Sequence, residues 1–470
     1  MLQKFFKLKE NGTNVKTEII AGITTFLAMA YIIAVNPSII TDAMGKINGD
    51  GAVYDLNFYY TVIFTATCVS AAVGTLIMGL YANLPFAQAP GMGLNAFFAY
   101  TIMLATGLTF QQGLAAVVFS GVLFIIITIF GLREMIVRAI PTTIRYSITA
   151  GIGLFIALIG LRNGGVIVSN PDTGNALVSF GAAEKFADIG PALLTLIGLA
   201  ITIILVLLKI KGALLIGIVA TTIIGIPMNV TNLKGIKGKW YPDLSYLSEY
   251  GDKIMPDFGG LFEFSNASTV IGGGIFGVIM IVIAFSLVDM FDTIGTLIGT
   301  GARAGMLDKD GDLPNMKKAL SADAIATTAG GFLGTSTVTT YVESGAGISE
   351  GGKTGLTSVV TAILFIGALF LSPIISIIPS AATAPALILV GIMMIGAVKN
   401  IKFDDLEEAI PAFLTMAIMP FTYSIATGIA AGFIFYPIVK IAKGKPKEVH
   451  PLIYIFAVLF ILRFALVAAG

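Results

Sequence analysis

One cysteine and one histidine occur in 470 residues, so the chain has neither a pair for an internal disulfide nor the ligands for a Cys/His zinc centre. Charge is also scarce: 12% of residues are Asp, Glu, Lys or Arg, about half of the roughly 25% usual in soluble domains. The 28 Lys and Arg against 27 Asp and Glu leave a net charge of +1, which gives no basic field for nucleic acid and no acidic tail for cations. Apolar residues take the place of charge, at 56% of the chain, with 54 glycines among the rest. The apolar runs recur from residue 18 to the end. They are too long for the alternating strands of a membrane barrel and predict an all-α polytopic membrane protein embedded in a lipid bilayer. No cofactor or metal is expected.

A helix needs roughly 20 residues to cross the hydrocarbon core. Marking runs near that length, broken by turn residues, predicts fourteen spans: 18–40, 58–80, 85–106, 112–131, 139–161, 190–210, 212–228, 268–301, 316–333, 336–351, 354–371, 379–399, 406–425 and 427–442. The first residues, with Lys4, Lys7, Lys9 and Lys16 and no cleavage site, read as a cytoplasmic flank rather than a removed signal. Basic residues then recur in every second loop, including Arg133, Arg138 and Arg145, Lys209 and Lys211, Arg303 and Lys309, Lys353, Lys399 and Lys402, and Lys440 to Lys447. That pattern places both termini in the cytoplasm. The 229–267 connection, with Lys234, Lys237, Lys239 and Lys253 balanced by acids, is kept outside. A last apolar run, 451–466, carries Arg463. A charge there is costly at mid-bilayer, so the run is expected to lie at the cytoplasmic interface.

Short phrases repeat in the same order in the two halves. Ala89 to Asn95 echoes Glu343 to Ser349, Ile140-Pro141 echoes Ile378-Pro379, and Pro191 to Leu196 echoes Pro411 to Met416. Each repeat holds seven spans, an odd number, so the second copy must be inverted, as in secondary transporters. Spans three and ten cannot be ordinary helices. Pro85, Pro90, Gly91 and Gly93 interrupt one, and the β-branched run Thr335 to Val342, followed by Gly345 and Gly347, interrupts the other. Each predicts a short extended piece leading into a half-helix. Such backbone is tolerated at membrane depth only where it lines a protein or water-filled cavity, so both breaks point to one site.

Span eight carries Asp289 and Asp292 three apart, with no other charge between Glu263 and Arg303. A carboxyl group held at that depth is costly unless it is protonated, paired or solvated, which marks a functional group. Glu343 follows the extended piece of span ten, and Asn95 lies at the matching break of span three. A purely structural reading of Asp292 is a local network with Thr293 or Thr296. Asp323 and Glu18 read as ordinary acids near helix starts, without a role. Phe86, Phe97 and Phe98 read first as bundle packing, with stacking on a flat ring the other reading for Phe86, which lies on the extended piece. Carboxylates and an Asn amide without a buried Lys or Arg repel an anion. They suit a neutral ligand with several N–H donors, such as a nucleobase, or a cation; acids that change charge during a cycle suit proton coupling.

The phrases PGMGLNAFF in span three, SLVDMFDTIGT in span eight and TTYVESGAGISEGGKTG in span ten resemble the purine branch of the nucleobase-ascorbate transporter family, the AzgA-like hypoxanthine, guanine and adenine permeases. The resemblance covers essentially the whole chain. It implies a UraA-type fold in a 7+7 inverted repeat, with core parts at 1–131 and 268–371, gate parts at 132–267 and 372–443, and a C-terminal interfacial segment at 444–470. It also implies proton symport of a purine nucleobase across the cell membrane, elevator-like alternating access and a homodimer formed through the gate. The family's base-binding positions fall on Asn95, Asp289 and Glu343, with Gly93 as a close backbone contact and Asp292 as a supporting acid in proton coupling. The uracil and xanthine branches place Glu where Asp289 stands, and some have a His nearby; this chain has no intramembrane His. A sodium-coupled carrier of the same fold is the alternative. An intramembrane aspartyl protease fits less well, because such enzymes set one acid on each of two adjacent helices whereas Asp289 and Asp292 share one.

Overall fold

A computed structural model describes residues 2–48, 53–130, 139–169, 178–180, 189–233, 245–262, 274–303, 306–307 and 313–469. Arg133, Arg138, Lys234, Lys237, Lys239, Glu263 and Lys309, used above for orientation and depth, lie outside them. The first half comprises α1 (Val15–Met29), α2 (Ile32–Asn48), α3 (Leu56–Ile77), β1 (Gln88–Pro90), α4 (Met92–Ala96, continued by a wider π-type turn to Ala105), α5 (Phe110–Ile129), α6 (Thr142–Asn163), the hairpin strands β2 (Ile167–Ser169) and β3 (Val178–Phe180), α7 (Gly190–Leu207) and α8 (Ala213–Gly225). The second half comprises α9 (Gly274–Arg303), α10 (Met316–Leu333), β4 (Val338–Thr340), α11 (Ser344–Ser349), α12 (Gly355–Ala368), α13 (Ser380–Ile395), α14 (Leu406–Thr422), α15 (Ile425–Ala442) and α16 (Pro451–Ala469). Among the described residues nine helices are long and apolar enough to cross a membrane, so the chain is a multi-pass membrane protein. The number falls short of the fourteen spans expected; spans three and ten are broken, and α8 has 13 residues.

Polar residues at the span ends start the helices. Asn14 accepts from the Thr17 amide, Asp55 from Asn57 and Phe58, and Thr109 forms a reciprocal capping box with Gln112; each satisfies amides that the helix itself leaves unpaired. The helices pack in two groups. α1, α2, α3, α5, α10, α11 and α12 surround the broken segments, while α6, α7, α8, α13, α14 and α15 pack among themselves. In the second group α6 and α13 approach backbone to backbone, since a Cβ added at Gly391 would lie 2.5 Å from the Gly153 carbonyl oxygen.

The two breaks meet. β1 pairs antiparallel with β4, with Gln88 opposite Thr340, Ala89 opposite Thr339 and Pro90 opposite Val338. The ladder extends at both ends through Gly91 N–H to the Thr337 carbonyl (3.1 Å) and Tyr341 N–H to the Ala87 carbonyl (3.0 Å). Strands related by an inverted repeat run antiparallel, and mutual pairing satisfies backbone that lipid cannot. The approach is matched too: α3 and its continuation end on left-handed Asn83, and α10 ends on left-handed Gly334. The expected extended pieces in spans three and ten are therefore present and joined.

α16 packs along α15, with Phe433 against Phe456 (5.3 Å between centroids) and Phe460 (5.9 Å). Arg463 is buried in that contact face, while Ile455, Val458, Ile461 and Leu462 point outward. The helix is thus built on the protein along one side and apolar on the other.

Candidate functional site

The chain leaves β1 through Gly91 into α4 and leaves β4 through Tyr341 and Glu343 into α11. The two exits share one acceptor, the Pro90 carbonyl oxygen, which takes hydrogen bonds from Tyr341 Oη at 2.5 Å and from Asn95 Nδ2 at 3.3 Å. Ser336 Oγ donates to Asn95 Oδ1. Asn95 is fully buried, with its Nδ2 held by Pro90 on its own segment and its Oδ1 held by Ser336 across the crossing.

Glu343 is half-buried, and its Oε1 accepts from Tyr31 Oη at 2.6 Å. Tyr31 lies at the break between α1 and α2. Asp292, also half-buried, is hydrogen-bonded by Thr339 on β4 and lies within electrostatic range of Glu343 and Asp323. Its Oδ2 would be 3.6 Å from a Cβ added at Gly91, a Cβ that would itself lie 2.4 Å from Thr339 Cγ2. Only glycine lets the two strands close here. Among the described residues no Lys, Arg or His forms an ion pair with Asp292 or Glu343. Asp289 turns another way: it is fully buried beside Thr327 Oγ1, whose single hydrogen is shared between Asp289 Oδ2 at 3.2 Å and the Val338 carbonyl at 3.0 Å. Asn95, Asp292 and Glu343 thus gather at the crossing, with Asp289 behind β4. Gly93 is packed against the second helical group, where an added Cβ would meet Ile152 Cγ2 at 2.7 Å. The Phe86 ring is enclosed in the apolar core, and its carbonyl accepts from Ser358 Oγ at 3.0 Å.

Four residues escaped the sequence reading. Tyr31, Ser336 and Tyr341 act only through contacts across the fold, which no local pattern announces. Asp323 had a signal: it lies seven positions into α10, too far for a helix end. It is fully buried and accepts from Thr293 Oγ1 at 2.6 Å and Gln88 Nε2 at 3.4 Å, while Thr293 bonds Thr339 at 2.7 Å. A polar chain therefore runs behind the strands from Asp323 to Thr339. Glu18 is in the first turn of α1, as expected, but is no ordinary terminal acid. Its carboxylate accepts from Lys353, Thr354 and Thr357 amides at 2.9, 3.3 and 3.2 Å and from Thr357 Oγ1 at 2.6 Å, clamping the start of α12.

Membrane-length helices around two broken segments, with acids and an amide at the break, define a membrane carrier. A family model described as "Permease family" matches residues 16–431. The chain is 46% identical over 463 residues to a putative permease of Methanocaldococcus jannaschii, covering 98% of both. It is 44% identical over 463 residues to the guanine/hypoxanthine permease PbuO of Bacillus subtilis (97% of this chain, 99% of that one), and 42% over 469 residues to the adenine permease AdeP of Escherichia coli (100% and 97%). It belongs to the nucleobase-ascorbate transporter family of permeases, which are transporters and not enzymes. Among solved structures, the transmembrane domain of a cyanobacterium bicarbonate transporter, BicA, aligns with TM-score 0.60 at 15% identity, over 88% of this chain and 97% of that one. Murine Slc26a9, an anion transporter, aligns with TM-score 0.58 at 12% identity, over 91% and 68%. At such identities these two speak for the fold alone.

Proposed function

We propose that the protein imports purine nucleobases, hypoxanthine, guanine and adenine, by proton symport across the cell membrane, with both termini in the cytoplasm. The observation that carries this reading is the crossing itself: Asn95 bonds the Pro90 carbonyl, Asp292 lies beside Gly91 and Thr339, and Glu343 follows β4 within electrostatic range of Asp292. A purine offers N–H donors to carboxylate oxygens, and ring-nitrogen or oxo acceptors to an amide. Half-buried acids such as Asp292 and Glu343, which form no ion pair among the described residues, are also the groups able to carry a proton with the substrate. Asp289 supports the site from behind β4, while Gly93 lets Ile152 of the second helical group approach and the Phe86 ring lies in the apolar core. The names of the relatives favour purines over other nucleobases. The helices around the crossing act as the core, which moves against the second group as a gate in an elevator-like cycle; a homodimer forms through that gate.

Purified protein in liposomes tests the reading. Labelled hypoxanthine should accumulate when the outside is acidic, and an uncoupler should abolish accumulation while sparing exchange. Accumulation that ignores the pH gradient and follows a sodium gradient would replace proton by sodium coupling. Absence of both accumulation and exchange would reject purine transport.

A further inference from the structure

A cavity of about 440 Å3 opens between α2 and α3 on one side and the start of α13 on the other. Its volume lies within the range of small-molecule pockets, roughly 300–1,000 Å3. Ser38, Thr41, Asp42, Asn57, Tyr60 and Ser380 are among its lining residues, so hydroxyl-bearing side chains recur around it, with one amide at Asn57 and the Asp42–Lys46 ion pair. Asn57, Ser380 and Lys46 at its rim are exposed. Since α2 ends and α3 begins at this level, the cavity faces the side opposite the N-terminus, the outer side in the orientation proposed above.

Its inner end is closed by one linked set of contacts. Asp42 Oδ2 accepts from Lys46 Nζ at 2.6 Å and from Tyr100 Oη at 2.7 Å. Tyr100 is fully buried on the continuation of α4, five positions beyond Asn95. Its hydroxyl also accepts from Asn163 Nδ2, on the last turn of α6, at 3.1 Å. Its ring packs edge-on against Tyr423 at 5.5 Å and Phe155 at 6.3 Å, those two rings meet at 5.3 Å, and the Arg162 guanidinium lies over Tyr423 at 5.1 Å. Asp42 and Tyr100 belong to the helices around the crossing, whereas Phe155, Arg162, Asn163 and Tyr423 belong to the second group. The contacts therefore join the two bodies that must separate for a substrate to pass, and through Tyr100 they link the cavity wall at Asp42 to the segment that carries Asn95.

We propose that the cavity is the outer vestibule through which the nucleobase enters, and that Asp42, Tyr100 and Asn163, backed by Phe155 and Tyr423, form its gate, closed in this conformation. The vestibule's hydroxyl and amide lining would take a polar, uncharged heterocycle before the gate admits it. This rests on the core-and-gate reading above, and the test is chosen to need no substrate. Cys68 is buried and is the sole native cysteine, so a Cys68→Ala background is clean for thiol labelling from outside with a membrane-impermeant reagent. Asn57→Cys reports the vestibule. Ile152→Cys reports the space beneath the gate, because Ile152 touches the α4 turn at Gly93. In the closed protein the Asn57→Cys thiol should react fast and the Ile152→Cys thiol slowly. Adding Tyr100→Phe, which keeps the ring and removes both hydrogen bonds, should speed labelling at Ile152→Cys at least about tenfold, a shift of roughly 1.4 kcal/mol; Asn163→Ala should act in the same direction. Unchanged labelling at Ile152→Cys with both variants would overturn the gate, and an Asn57→Cys thiol that reacts no faster than the Ile152→Cys thiol would overturn the vestibule. Failure of hypoxanthine transport would leave this labelling result intact and would count against the function alone.

Discussion

Replacing Glu343 by Gln exchanges one carboxylate oxygen for an NH2 group in almost the same volume, and the structure decides which oxygen is lost. Tyr31 Oη donates to Glu343 Oε1 at 2.6 Å, so the Gln carbonyl oxygen takes that place and its amide nitrogen stands where Oε2 stood. A purine N–H that approached Oε2 then meets a donor. A buried polar group left without its partner costs about 1–3 kcal/mol, which is a loss of affinity between about fivefold and somewhat over a hundredfold. Equilibrium binding of labelled hypoxanthine to the purified variant reads this directly, with a thermal unfolding curve to show that it is folded. Tyr31→Phe in the same chain frees the Gln amide to turn, so the double variant should bind more tightly than Glu343→Gln alone. Wild-type affinity in Glu343→Gln would remove Glu343 from the site. A double variant no tighter than the single one would show that Tyr31 does not orient it.

Gly91→Ala should abolish transport, because its Cβ falls 2.4 Å from Thr339 Cγ2 beside Asp292; Thr339→Ser removes that methyl and keeps the hydroxyl, so uptake by the double variant should recover in part. Glu18→Ala strips the acceptor from three amides and a hydroxyl at the start of α12. It should cost about 2 kcal/mol or more of stability, seen as a lowered melting temperature in detergent, while protein that remains folded binds hypoxanthine normally.

The broken spans were legible because proline, glycine and β-branched runs are incompatible with a helix wherever they occur. Asp289, Asp292 and Glu343 were legible because an acid at membrane depth is costly. Their division of labour was not. A three-residue spacing puts Asp289 and Asp292 near one helical face, yet Asp289 meets Thr327 while Asp292 meets Thr339 and the tight strand crossing at Gly91. Only the neighbouring elements make that distinction. Tyr31 lies 312 positions from the carboxylate it orients, a pairing that no spacing rule reaches. Asp323 and Glu18 show the converse error: an acid near basic or polar flanks reads as a helix end, but burial makes one the base of a polar chain and the other a clamp on a distant helix.

The proposed position of the substrate is the crossing of β1 and β4, and a structure of the purified protein determined with saturating hypoxanthine tests it. The prediction is density for the base against Asn95, Asp292 and Glu343, within hydrogen-bond distance of at least one carboxylate oxygen. An empty crossing, with the base bound elsewhere in the molecule, would contradict it.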